Sequence, residues 1–378
     1  MTVGETGGAR LKELSWLAPC LVLGLIALVM ERPWPKFPPP AHYRVVIDAK
    51  GMQVKVPVPL KGVLSYPPLN DLFLMYSHAP EALYKAGGPK DRKGYGEGLY
   101  GRIYPQLVAS ATVWDMPTDM ESLLAAYNDG TVYFWPGWIW GADERLGMIG
   151  YYYSTGAVDT VQFTARIVNR LLGHEDRAEP MIAAYETALK DLDNDLKPDT
   201  LADWPSAISM WTSDDDWSDL GAHGAGDDRV GLRDAAHAWN TRGRKQEAER
   251  VLAMDPDLIL LLGGDPKSFL RDPRWRGLKA VRSRRVYAVA DFTRGAAFWH
   301  MDFVPYVSRW TAEVAHPERL QPRLRGLLRN HFVQSYGYRL SDSQLDAMLS
   351  IEANSEAPGY QRFMAVAGRD ESRQGGGQ

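Results

Sequence analysis

The chain has 378 residues, more than one ordinary domain needs and enough for two lobes of roughly 130 residues each. Hydrophobic residues at 45% and charged residues at 24% are the balance of a globular protein with a full core. A formal net charge of -4 gives no basic field for nucleic acid, and a single cysteine, Cys20, excludes a disulfide framework and any multi-cysteine zinc or iron–sulfur site.

Arg10 and Lys12 precede an apolar run over residues 14–30. A basic flank before such a run reads as a signal peptide or an uncleaved signal anchor, with residues 1–13 cytoplasmic and the body exported. Its length lies between a signal-peptide core and a full membrane span, and a buried helix of the domain is the competing reading. Residues 31–43 carry Pro33, Pro35, Pro38, Pro39 and Pro40 and form a stiff linker. Over residues 44–57, Val45 and Ile47 alternate on one arm and Val54 and Val56 on the other, with Ala49, Lys50 and Gly51 turning between them. That is a hairpin pattern.

Short apolar runs at 63–64, 132–134, 208–211, 258–262 and 286–289 then alternate with helical stretches such as 120–127 and 247–254. Strands alternating with helices predict βαβ units and parallel sheets, an α/β fold. Residues 159–172 form an amphipathic helix stopped by Gly173, and 175–196 a second one, with Ala178, Ile182, Tyr185 and Leu189 at helical spacing. The boundaries that follow are an N-terminal α/β lobe over 44–173, an interlobe helix over 174–197 and a C-terminal α/β lobe with terminal helices over 198–351. The glycine-rich end places a disordered tail over 352–378.

A weak internal repeat supports two similar lobes. Glu121, Leu124, Ala125 and Asp129 recur at the same offsets as Glu249, Leu252, Ala253 and Asp257, each set running from a short helix into an apolar strand.

Several stretches resemble one family. Asp48-Ala49-Lys50-Gly51 followed by Val54-Lys55-Val56-Pro57 matches its opening hairpin. Glu249 through Asp255-Pro256-Asp257-Leu258-Ile259 matches a lobe signature, and Trp275, Leu278, Ala280 and Val281 with Arg285-Val286-Tyr287 matches its most specific run. Residues 316–320 and 336–341 match its C-terminal helices. The chain is therefore similar, over most of 44–350, to the substrate-binding proteins of ABC importers for ferric siderophores, haem and cobalamin, the class with a rigid interlobe helix. Asn128, where the first lobe's signature has proline, and the segment from Val63 to Pro68 depart from the pattern.

The resemblance implies two Rossmann-like lobes joined by one long helix, capture of a metal chelate in the periplasm, and delivery to an ABC permease dimer in the inner membrane. It implies a monomer without catalysis or cofactor, retained by residues 14–30 if these are not removed. It also assigns permease docking to Glu121 and Glu249, whose carboxylates would meet arginines of a two-fold partner. Thr118 and Glu121 equally fit a helix-capping box.

In open α/β sheets, ligands bind beyond the carboxyl ends of the strands. That rule selects Tyr66, Trp114, Trp135, Trp138, Trp140 and Tyr152 in the first lobe, and Trp211, Trp217, Arg294, Trp299 and His300 in the second. Aromatic rings give rigid walls for a bulky ligand, and Arg294 suits an anionic chelate, although each ring also suits a lobe core. Asp214, Asp215 and Asp216 read as a solvated loop, with a hard cation as the alternative. No phosphate loop and no nucleophile elbow is present. The competing classes are a two-domain α/β enzyme with its site between the lobes and a membrane-anchored ligand sensor.

Overall fold

The computed structural model describes residues 42–48, 51–65, 99–105, 131–136, 148–151, 158–196, 204–213, 216–219, 228–236, 244–245, 248–290 and 304–365. The chain divides at Ala41, and all of these belong to the unit that begins at His42.

Strands β1 (Tyr43–Ile47) and β2 (Gln53–Pro57) pair antiparallel, Val46 opposite Val54. Alternation buries Val46, Val54 and Val56 on the inner face and leaves Tyr43, Ile47 and Lys55 outside. Next come β3 (Gly62–Ser65), the short helix α1 (Leu99–Ile103), β4 (Thr131–Pro136) and β5 (Met148–Tyr151). The three strands form an all-parallel sheet in the order β3-β4-β5.

Two helices follow. α2 (Val158–Leu172) ends at Gly173, whose φ of +78° lies in the left-handed region, and a Cβ there would stand 2.9 Å from Arg44 Nη1. That guanidinium donates to the Arg170 carbonyl at 2.8 Å, satisfying one of the free carbonyls at the helix end and tying the hairpin to it. The helical stretch expected from residue 175 begins instead with a tight 3₁₀ turn, Glu175–Arg177, before α3 (Ala178–Leu196). Pro180, without an N–H and restrictive toward its predecessor, suits only a first turn. α3 buries Ala178, Ile182, Tyr185, Leu189, Leu192 and Leu196, one stripe at helical spacing.

The second sheet contains β6 (Ser206–Ser213), β7 (Asp216–Asp219), β8 (Arg233–Asp234), β9 (Arg244–Lys245), β10 (Leu258–Leu262) and β11 (Val286–Ala288). Its order is β11-β10-β6-β7-β9, with β8 also on β6. β11, β10, β6 and β8 are parallel, whereas β7 and β9 add an antiparallel edge. The stretch between Trp211 and Trp217, expected as a loop, is largely strand. β6 continues to Ser213, and Thr212 pairs with Trp217 and Ser213 with Asp216.

Burial alternates across this sheet. Ile208, Met210, Ile259, Leu261 and Val286 face one layer made by α4 (Ala248–Met254), α5 (Pro266–Arg271), the 3₁₀ turn Pro273–Trp275 and α6 (Lys279–Arg282). Trp275 is fully buried in this layer and stacks on Phe269 with centroids 5.3 Å apart. The opposite face, with Ala207, Leu258, Leu260 and Tyr287, joins α3, α7 (Val304–Ala315) and α8 (Leu324–Tyr336) in one continuous apolar core.

The chain does not become disordered at residue 352. After α9 (Asp342–Met348), residues 351–365 fold back on the core, where Asn354, Ala357, Tyr360 and Phe363 are buried. Trp310 Nε1 donates to Tyr360 Oη at 2.9 Å, and that hydroxyl donates to the Leu349 carbonyl at 2.5 Å. A few buried aromatic anchors hold a segment whose polar, glycine-containing composition resembles a tail. Residues 366–378, like the segment 14–30, lie outside the described residues.

Candidate functional site

The turn from α4 into β10 is held by side chains. Asp255, at φ +38°, accepts the Lys279 N–H at 2.7 Å, and the Ala280 N–H donates to the Pro256 carbonyl at 3.1 Å. Asp257 accepts both the backbone N–H and the hydroxyl of Ser206, each at 2.8 Å. Burial pushes the Asp257 carboxyl up, but the two Ser206 hydrogen bonds and the nearby cations Lys279 and Arg233 outweigh it and hold it below its ordinary value. The acid thus fixes the start of β6 against the start of β10.

The Asp257–Ser206 bonds fix the start of the β6–β10 register in the second sheet. Trp211 stands opposite Leu262, the last residue of β10, while Trp135 pairs with Gly150 near the ends of β4 and β5. Both tryptophans therefore stand near the carboxyl ends of strands that pair in parallel. Trp217 lies beside that edge in the β6–β7 hairpin. Tyr66 and Tyr152 come next in sequence after the final residues of β3 and β5, and Trp138 two residues after β4. Tyr66, Trp114, Trp138, Trp140, Tyr152, Arg294, Trp299 and His300 themselves lie outside the described residues, as does Glu121. Among the described residues no group of three or more His, Cys, Asp or Glu is placed to hold a metal ion.

Glu249 is on the second residue of α4 and is exposed. Leu252, one turn along, is 38% exposed, while Val251 between them is fully buried against the sheet.

The comparisons bear on this arrangement. A family model described as "Periplasmic binding protein" matches residues 151–291, from the end of the first sheet through both helices to just past β11. A solved periplasmic solute binding protein from Veillonella parvula superposes with a TM-score of 0.68 at 18% identity, covering 83% of this chain and 99% of that one. The fold is that of the periplasmic binding proteins.

The likeness extends to other members of the fold. The molybdate periplasmic binding protein MolA of Haemophilus influenzae, bound to molybdate, gives a TM-score of 0.62 at 15% identity over 79% of this chain and 99% of its own. CeuE of Helicobacter pylori with Ni(II) bound gives 0.58 at 13% identity over 81% and 99%. A search of the curated proteins finds no match. Among the described residues no helix is long and apolar enough to cross a membrane. The most specific sequence run of the periplasmic-binding-protein region is structural: Trp275, Leu278, Ala280 and Val286 are fully buried, and Tyr287 nearly so.

Proposed function

We propose that this chain captures a metal chelate, such as a ferric siderophore, haem or a corrinoid, in the periplasm and delivers it to an ABC permease dimer. The observation that carries the reading is the position of Trp135 and Trp211 at the carboxyl ends of parallel strands in two separate sheets, which is where open α/β folds bind ligands. Broad indole faces suit a bulky chelate better than a bare ion, and the further aromatics that follow these strands in sequence extend the same chemistry. Glu121 and Glu249 are the proposed docking acids, and residues 14–30 the proposed export signal or tether. The protein acts as a monomer.

Intrinsic tryptophan fluorescence tests the reading. The protein is titrated with ferric siderophores, haemin and cyanocobalamin, with molybdate and Ni(II) as the small-ion comparison. A saturable change with one chelate and none with the two small ions is expected. Saturation by molybdate or Ni(II) alone would replace the chelate with a small ion, and a flat response to every ligand would remove the proposal.

A further inference from the structure

The internal repeat preserves more than the docking acids. Glu, Leu and Ala recur together, as Glu121, Leu124 and Ala125 and as Glu249, Leu252 and Ala253. A leucine kept at the same offset in both halves of a fold is ordinarily a core residue. Here it is not. Glu249, Leu252 and Ala253 are all exposed, and the inward position of α4 is taken by Val251, which is 0% exposed and packs against Ile208 and Ile259 in the core behind.

Residues at i, i+3 and i+4 share one helical face. Glu249, Leu252 and Ala253 thus form a single outward strip of one acid, one large apolar side chain and one small residue. No hydrogen bond or ion pair engages Glu249 among the described residues. The strip is rigidly presented, because Asp255 and Asp257 lock the end of the same helix to α6 and β6. Beyond the strip, Gly277 keeps the neighbouring surface low: a Cβ there would come 3.9 Å from Leu252 Cδ2.

We infer that Leu252 is an apolar anchor of the permease-docking surface, inserted into a hydrophobic recess that lies beside the cationic group receiving Glu249. The inference rests on the docking reading above and adds its apolar half. A lone exposed leucine means nothing by itself. What distinguishes this one is its recurrence next to an acid in both halves, the arrangement that a two-fold partner with two equivalent recesses requires. The acid orients and accelerates the encounter, while burying the leucine slows dissociation.

The test uses the full chain in its own cells. A photo-activatable benzophenone side chain replaces exposed Arg250, beside the strip, and its adducts are identified by mass spectrometry. Adducts with a multi-span permease subunit are expected. Leu252→Gln, which keeps the helix propensity of leucine, should lower their yield at least about tenfold, with thermal stability unchanged. If Glu249→Gln abolishes the adducts while Leu252→Gln leaves them intact, the anchor is refuted and acid docking stands. If the parent protein gives no permease adduct at all, anchor and docking fall together.

Discussion

Asn354 completes the edge of β11 through Ala288. Its side-chain nitrogen donates to the Ala288 carbonyl at 2.9 Å, and its Oδ1 accepts the Ala288 N–H at 2.7 Å. One buried amide thereby satisfies two backbone groups that the outermost strand would otherwise leave open, and it covers that edge against pairing with another chain. Asn354→Ala should cost about 2–4 kcal/mol in urea denaturation, since both groups lose their partners in a site closed to water. An unchanged midpoint would mean that residues 351–365 do not stabilise the fold.

Arg309 joins α7 to the end of α3. It pairs with Asp195 at 2.5 Å and Glu313 at 2.6 Å and donates to the Gln321 carbonyl at 2.8 Å, with its side chain only 4% exposed. Burial pushes the Glu313 carboxyl up, and the Arg323 N–H and the Arg309 guanidinium pull against that push. Arg309→Met should destabilise by about 3–5 kcal/mol because it strands a fully buried carboxylate. Adding Glu313→Gln should restore much of the loss. A double variant no better than the single one would refute the charge explanation.

His331 lies among rings, 4.6 Å from Tyr306 and 5.7 Å from Phe332, and burial pushes its pKa from 6.5 down to about 3. The folded protein therefore holds the neutral imidazole while the unfolded chain takes up a proton below 6.5. The resulting stability is complete above 6.5 and is lost progressively as pH falls toward 3. Denaturation midpoints of the parent should decline across that window, and His331→Phe should flatten the decline. Equal slopes for the two would contradict the assignment.

Gly231 has φ +66°, and a Cβ on it would meet His316 Nε2 at 2.7 Å and Leu196 Cδ2 at 3.1 Å. Here the last turn of α3 touches the second sheet's surroundings, and His316 Nε2 is hydrogen-bonded to the Gly231 carbonyl at 2.8 Å. Gly231→Ala should cost about 2 kcal/mol or more, from the left-handed backbone and the collision together. Calorimetry would measure it, and a neutral outcome would mean that the ring and the helix end yield freely.

Much of the scaffold was legible because its periodicities are strong. Val54 and Val56 of β2, the buried stripe of α3 and the five apolar residues of β10 each state their environment directly. On β1, by contrast, the buried residue is Val46, and Ile47, expected to alternate with Val45, is exposed. β7 was not legible: Asp216-Trp217-Ser218-Asp219 has the composition of a loop and becomes strand only through pairing with β6. The segment after 351 was hidden for a similar reason, since Tyr360 and Phe363 are sparse among polar residues and bind through distant partners. At the candidate site, chain order places Trp135 and Trp211 near the ends of their strands, while most of the other expected ligand residues lie outside the described residues and the docking role of Glu249 rests on the resemblance. The exposure of Leu252 could not be read there, because inward and outward leucines look alike in a short helix.

Under the proposed function, one ligand bridges the carboxyl edges of both sheets. Hydrogen–deuterium exchange, with and without whichever chelate changes the tryptophan fluorescence, addresses it most directly. Slowed exchange in both 133–136 and 209–213 is the predicted result. Protection confined to one of these stretches, or to neither, would contradict a ligand held between them.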